Sequence, residues 1–182
     1  IWDLVKVRWK FAVGVTIISI IGIAFHQLDK IILSKMLSLE FFGYYTLATT
    51  ITGLGLGVIS KSVANAVYPR FSYLISLGNR QDLSNLYYRS LQSLAVLMFP
   101  LVSLLAVFSF EILILWTRNT NTALNSWELV TILAIANMIS GLTQIPYSVQ
   151  LAYGWTKIII IAASASMIIT IPMMILTIKY YG

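Results

Sequence analysis

Lysine, arginine, aspartate and glutamate cut this sequence into five long uncharged intervals. They are residues 11–28, 41–60, 90–110, 129–156 and 158–178, with 18, 20, 21, 28 and 21 residues. A helix needs about 20 mostly apolar residues to cross the hydrocarbon of a bilayer. Runs such as LAVLMFPLVSLLAVF and IIIIAASASMIITIPMMILTI lack the apolar–polar alternation of a membrane β-strand, which would also be about half as long. The pattern predicts five transmembrane helices, over about 11–37, 41–60, 84–110, 128–151 and 156–178, in one membrane domain covering 1–182.

The connections differ in character. Ser38-Leu39-Glu40 reads as a tight turn, and residues 117–126 (TRNTNTALNS) as a polar loop on the same side. Residues 61–89 form the longest charged connection. Within it, Val67, Phe71, Leu74 and Ile75 recur at i, i+4, i+7 and i+8. That spacing predicts an amphipathic helix over about 66–77 lying on the membrane surface. Leu77-Gly78-Asn79 ends it, and Asp82 or Ser84 is placed to cap the next helix. Pro100, Pro146 and Pro172 fall in or near the predicted spans, where neighbouring helices tolerate kinks.

Composition supports an all-α integral membrane protein. Hydrophobic residues make up 59% and charged residues 10%, and the mean hydropathy is +0.87. That leaves too little polar surface to cover a soluble domain. Cysteine is absent and His26 is the single histidine, which removes thiolate chemistry and argues against a metal centre; no cofactor is expected. The net charge of +6 reads as cytoplasmic loops and not as a nucleic-acid surface. With the N-terminus cytoplasmic, that side receives Lys6, Arg8, Lys10, Lys61, Arg70, Arg80, Arg89 and Lys157; the other receives Lys30, Lys35, Arg118 and Lys179. Eight against four favours this orientation. The sequence opens at Ile1 and enters an apolar run within a few residues, which reads as a fragment or a product missing one end.

Two polar stripes interrupt the apolar spans. In the first predicted helix Thr16, Ser19, Gly22, His26, Asp29 and Lys30 recur at three- and four-residue steps, so they share a face. Ionised groups at membrane depth usually line a wet cavity or face a partner. The alternative is that Asp29 and Lys30 snorkel to the interface. Ile31, Ile32, Leu33, Met36 and Leu37 continue the apolar pattern past them, which favours a lining role. His26 reads as a hydrogen-bonded or titrating side chain. In the fourth predicted helix Asn137, Ser140, Gly141, Gln144 and Ser148 form the second stripe, with Gln150 nearby. Amide side chains suit sugar hydroxyls and equally suit interhelical hydrogen bonds. Gly53, Gly55 and Gly57 form GLGLG in the second span. Close helix packing is the favoured meaning, and bending for gating the other. Arg70 and Arg89 sit among Tyr68, Tyr73, Tyr87 and Tyr88, as headgroup anchors do. No nucleophile–base pair is evident, so an enzyme is not expected.

Several stretches together resemble a family. HQLDKIILSKMLSLEFFGYYTLATTI is similar to a stretch of bacterial polysaccharide flippases, and VYPRFS, ILILWT and QIPYSVQLAYGWTK resemble further landmarks in the same order. The resemblance covers about residues 11–160. These flippases belong to the multidrug/oligosaccharidyl-lipid/polysaccharide exporter superfamily, whose members have two helical lobes around a central cavity. The resemblance implies a partial lobe of that fold, the opening five helices of the second lobe, with the first lobe as its partner. It further implies a bacterial cytoplasmic-membrane transporter. Such a transporter moves an undecaprenyl-diphosphate-linked oligosaccharide outward by alternating access, with no cofactor and among membrane lipids. Asp29 and Lys30 match the charged motif, and Lys30 and Lys61 are the cations that would complement the diphosphate; His26, Asn137, Gln144 and Gln150 complete the candidate pathway.

Three other readings compete. A cation-coupled multidrug exporter of the same superfamily comes second. A membrane glycosyltransferase or polymerase needs a large external loop bearing catalytic groups, whereas residues 117–127 carry Arg118 and no other basic residue. A purely structural subunit does not account for the polar stripes. The orientation is testable. Cysteine placed at Ser76 is expected to react with an impermeant thiol reagent only from the cytoplasmic side, and cysteine at Thr120 only from outside. Reversed labelling would overturn both the orientation and the family alignment.

Overall fold

In a computed structural model the backbone is described for residues 2–181 and side chains for residues 9, 12–24 and 27–180. No strand occurs among the described residues; the chain is all α. Helix α1 is Trp2–Met36, α2 Leu39–Thr52, α3 Val58–Ser76, α4 Arg80–Val107, α5 Ser109–Thr117, α6 Thr120–Leu142, α7 Gln144–Ala152 and α8 Thr156–Tyr181, and a π-helical segment, Gly53–Gly57, joins α2 to α3. Five stretches are long and apolar enough to cross a membrane: Ala12–Met36, Leu39–Ser76, Arg80–Val107, Thr120–Ala152 and Thr156–Tyr180. The chain is a multi-pass membrane protein. Ile20, Ile23, Ile161, Ile168 and Ile169 are all more than 60% exposed, a surface suited to lipid and costly in water.

The helices gather into two compact units. The first pairs α1 with α8. They approach closely at Gly14, where an added Cβ would meet Thr156 Oγ1 at 2.8 Å and Cβ at 2.9 Å. The second runs Gly43–Tyr153 and has two apolar clusters. One gathers Leu56, Ala64, Phe71, Leu74, Leu83, Leu94, Met98 and Ile145 from α3, α4, α7 and the π segment. The other gathers Ala48, Ile51, Leu113, Ala123 and Val130 from α2, α5 and α6.

Local chemistry sets the helix ends. Gly78 takes φ 67° after α3, the left-handed conformation glycine adopts without a Cβ penalty. Asn79, and not Asp82 or Ser84, caps α4: its Oδ1 accepts from the Asp82 N–H at 3.1 Å, and its Nδ2 donates to Asp82 Oδ2 at 2.7 Å. Asn119 caps α6 by accepting from the Thr122 N–H at 3.1 Å. The 117–126 loop therefore shrinks to Arg118 and Asn119, with Arg118 at φ 51°. Pro146 supplies no N–H to the Leu142 carbonyl, and the helix breaks at Thr143 between α6 and α7.

Two further expectations are corrected. Residues 66–76 do not form a separate surface helix; they continue α3, and Phe71 and Leu74 are buried against other helices. An apolar stripe reads the same whether lipid or a partner helix covers it. The GLGLG segment is not a close-packing seam: a Cβ at Gly53, Gly55 or Gly57 meets nothing within 4 Å. Tight packing occurs instead at Gly141, where a Cβ would lie 2.5 Å from Met98 Cε and 3.2 Å from Ser60 Cβ.

Helix length places much of the second unit beyond the hydrocarbon. The continuous stretch Leu39–Ser76 has 38 residues, about 57 Å at about 1.5 Å per residue. The apolar slab is about 30 Å thick. The excess falls at the end bearing Lys61, Arg70, Arg80 and Arg89, all exposed. Gly141→Ala is expected to cost about 1–3 kcal/mol through overpacking, read as a lowered unfolding temperature in detergent. Combined with Met98→Ala, the loss should be smaller than the sum of the two single losses, because the new methyl enters the space Met98 vacates. Strict additivity would show that the contact does not limit packing.

Candidate functional site

The first polar stripe lies on α1. Thr16 Oγ1 donates to the Ala12 carbonyl and Ser19 Oγ to the Val15 carbonyl, each at 2.9 Å. Both hydroxyls are thus satisfied within their own helix, as a medium without water requires. Gly22 has open space beside it. Helix α1 continues unbroken to Met36, so Asp29 stands seven residues, about 10 Å, before its end. Asp29 is half-buried and its Oδ1 accepts the Lys30 N–H at 2.7 Å; the Lys30 side chain is exposed. The side chain of His26 lies outside the described residues.

The second stripe divides. Asn137 is half-buried, and its Nδ2 donates to Thr52 Oγ1 at 3.2 Å and to the Leu133 carbonyl at 2.8 Å. Thr52 is fully buried and donates its own proton to the Ala48 carbonyl at 2.9 Å, which leaves its oxygen free to accept from Asn137. A second link lies close by. Thr131 Oγ1 stands 3.1 Å from Ser109 Oγ, 3.1 Å from the Trp127 carbonyl and 3.4 Å from the Ala106 carbonyl. Having one proton, it donates to a carbonyl and can accept from Ser109. Interhelical hydrogen bonds in bilayers contribute about 0.6 kcal/mol on average and about 1.7 at most.

Thr52, Asn137, Ser109 and Thr131 form a polar belt across the second unit. It lies where the two apolar clusters meet, beside Leu105, which packs against both. Sequence pattern singles out Asn137 but neither Thr52 nor the Ser109–Thr131 pair. Small hydroxyls in apolar runs carry no visible signal, because most satisfy themselves on the preceding turn. Gln144 and Gln150 are half-buried on α7, and Lys61 is exposed on α3. No side-chain hydrogen bond joins these three among the described residues. The remaining stripe members serve packing and helix ends: Gly141 admits Met98, and Ser148 Oγ donates to the Gln144 carbonyl at 2.8 Å. Among the described residues no three His, Cys, Asp or Glu side chains group to hold a metal ion.

Known proteins supply the remaining constraint. The family model described as "Polysaccharide biosynthesis protein" matches residues 2–119, more than half of the chain. That interval includes the α1 stripe, the π segment and Thr52. A "Putative O-antigen transporter" of Shigella flexneri is 23% identical over 172 residues, covering 94% of this chain and 40% of that protein. The chain thus spans about 40% of the length of this curated relative. No solved structure gives a significant match. With five apolar spans, a polar stripe on α1 and a hydrogen-bonded belt in the second unit, the chain belongs to the polysaccharide biosynthesis protein family of multi-pass membrane proteins.

Proposed function

We propose that the chain forms part of a transporter that flips undecaprenyl-diphosphate-linked oligosaccharide across the bacterial cytoplasmic membrane during surface polysaccharide synthesis. The family match over residues 2–119 carries this reading, and the name of the Shigella flexneri relative, an O-antigen transporter, favours it over a drug exporter. The short Arg118-Asn119 connection between α5 and α6 offers little room for the external catalytic loop of a glycosyltransferase.

The substrate has three chemical parts, and the chain has groups suited to each. A diphosphate needs a cation that it can reach from the bilayer; Lys30 and Lys61 are exposed. Sugar hydroxyls need paired donors and acceptors, which Gln144 and Gln150 possess. A polyprenyl tail needs an apolar outer wall, such as the exposed isoleucines of α1 and α8. In alternating access the charged groups of α1 exchange between the two faces as the lobes rock. Asp29, next to Lys30, sets the local charge balance and supplies a site for a coupling proton or cation.

The charged pair is the point to test. In cells whose surface polysaccharide depends on this protein, Asp29→Asn and Lys30→Ala are each expected to lower export about tenfold, the effect of losing about 1.4 kcal/mol of binding. Membrane insertion should stay near normal, as measured by immunoblot of the membrane fraction. Normal export by both variants would reduce the pair to interfacial anchors.

A further inference from the structure

We propose that the Gly53–Gly57 segment is a mechanical joint, about which the two halves of the second unit pivot, and that the Asn137–Thr52 hydrogen bond latches the conformation seen here. Two observations coincide at this segment. The backbone leaves α-helical geometry over Gly53–Gly57 and returns to it at Val58. π segments recur at functional positions in helices, since they add a residue without ending the helix. The apolar core also changes there from one cluster to the other, with the polar belt between them.

The glycines have no other evident use. No turn or positive φ requires them, and no neighbour lies within 4 Å of a Cβ built at any of the three. The inner face of the same segment is packed, with Thr52 and Leu56 buried, whereas Leu54 and Val58 on the outer face are more than half exposed. Bending at this segment meets no steric obstacle on the bare side. Glycine lowers the cost of that bend because it stiffens the helix least. The latch is well placed, because Thr52 immediately precedes the segment and Asn137 reaches it from α6.

The test measures motion and does not depend on what is carried. The chain has no cysteine, so spin labels can be placed at will in lipid nanodiscs. Labels at Leu124→Cys on α6 and Tyr73→Cys on α3, both exposed, report across the joint. Labels at Leu115→Cys and Leu124→Cys, both exposed, stay within one half. The parent should give two distance populations across the joint and one within the half. Asn137→Leu should shift the ratio of the two populations by about threefold to eighteenfold, as loss of one interhelical hydrogen bond implies. The triple variant Gly53→Ala, Gly55→Ala, Gly57→Ala meets no steric obstacle and leaves the latch intact; it should collapse the two populations to one. A single population in the parent overturns the joint, and so does a triple variant indistinguishable from the parent. Broadening of the within-half distance alongside the other would mean general loosening, and would overturn it as well.

Discussion

A bilayer offers no water to hydrogen-bond, so every polar group at membrane depth must find its partner within the protein. That constraint accounts for most of what the chain does. The backbone is helical along the five spans, apart from the break at Thr143. Hydroxyls at Thr16, Ser19, Thr52, Ser90, Ser148 and Ser166 return to carbonyls four residues back on their own helices. Only a few polar groups are left to reach across the bundle. Those few, chiefly Asn137 and Thr131, define the belt that crosses the second unit.

Glycine and proline then decide where helices approach, break or yield. Gly14 and Gly141 let neighbours come closer than any side chain would permit. Pro146 separates α6 from α7. Gly53, Gly55 and Gly57 do neither; their segment relaxes into π geometry on the bare side of a helix packed on the other. The same residue type thus serves opposite ends, and its surroundings select between them.

Charge follows a coarser logic. The basic residues of α3 and α4 are exposed, and the excess length of the Leu39–Ser76 stretch offers room beyond the hydrocarbon, where ionised side chains cost little. Asp29 and Lys30 are the exception in kind, because their helix continues for about 10 Å beyond Asp29. They fall within the stretch matched by the family model.

The sequence by itself determined the class, the number of spans and their approximate places, because an uncharged apolar run of about 20 residues has few stable fates other than a membrane helix. It also determined Gly78 as a helix end and Asn137 as a polar group needing a partner. The tertiary structure alone decided what lay behind those patterns. It showed that Phe71 and Leu74 face other helices and not lipid, that GLGLG is open and not packed, and that Asn137 is paired with Thr52, 85 residues away. Periodicity along a helix marks a face as apolar or polar, but what covers that face depends on residues far along the chain. Those residues meet only when the helices pack.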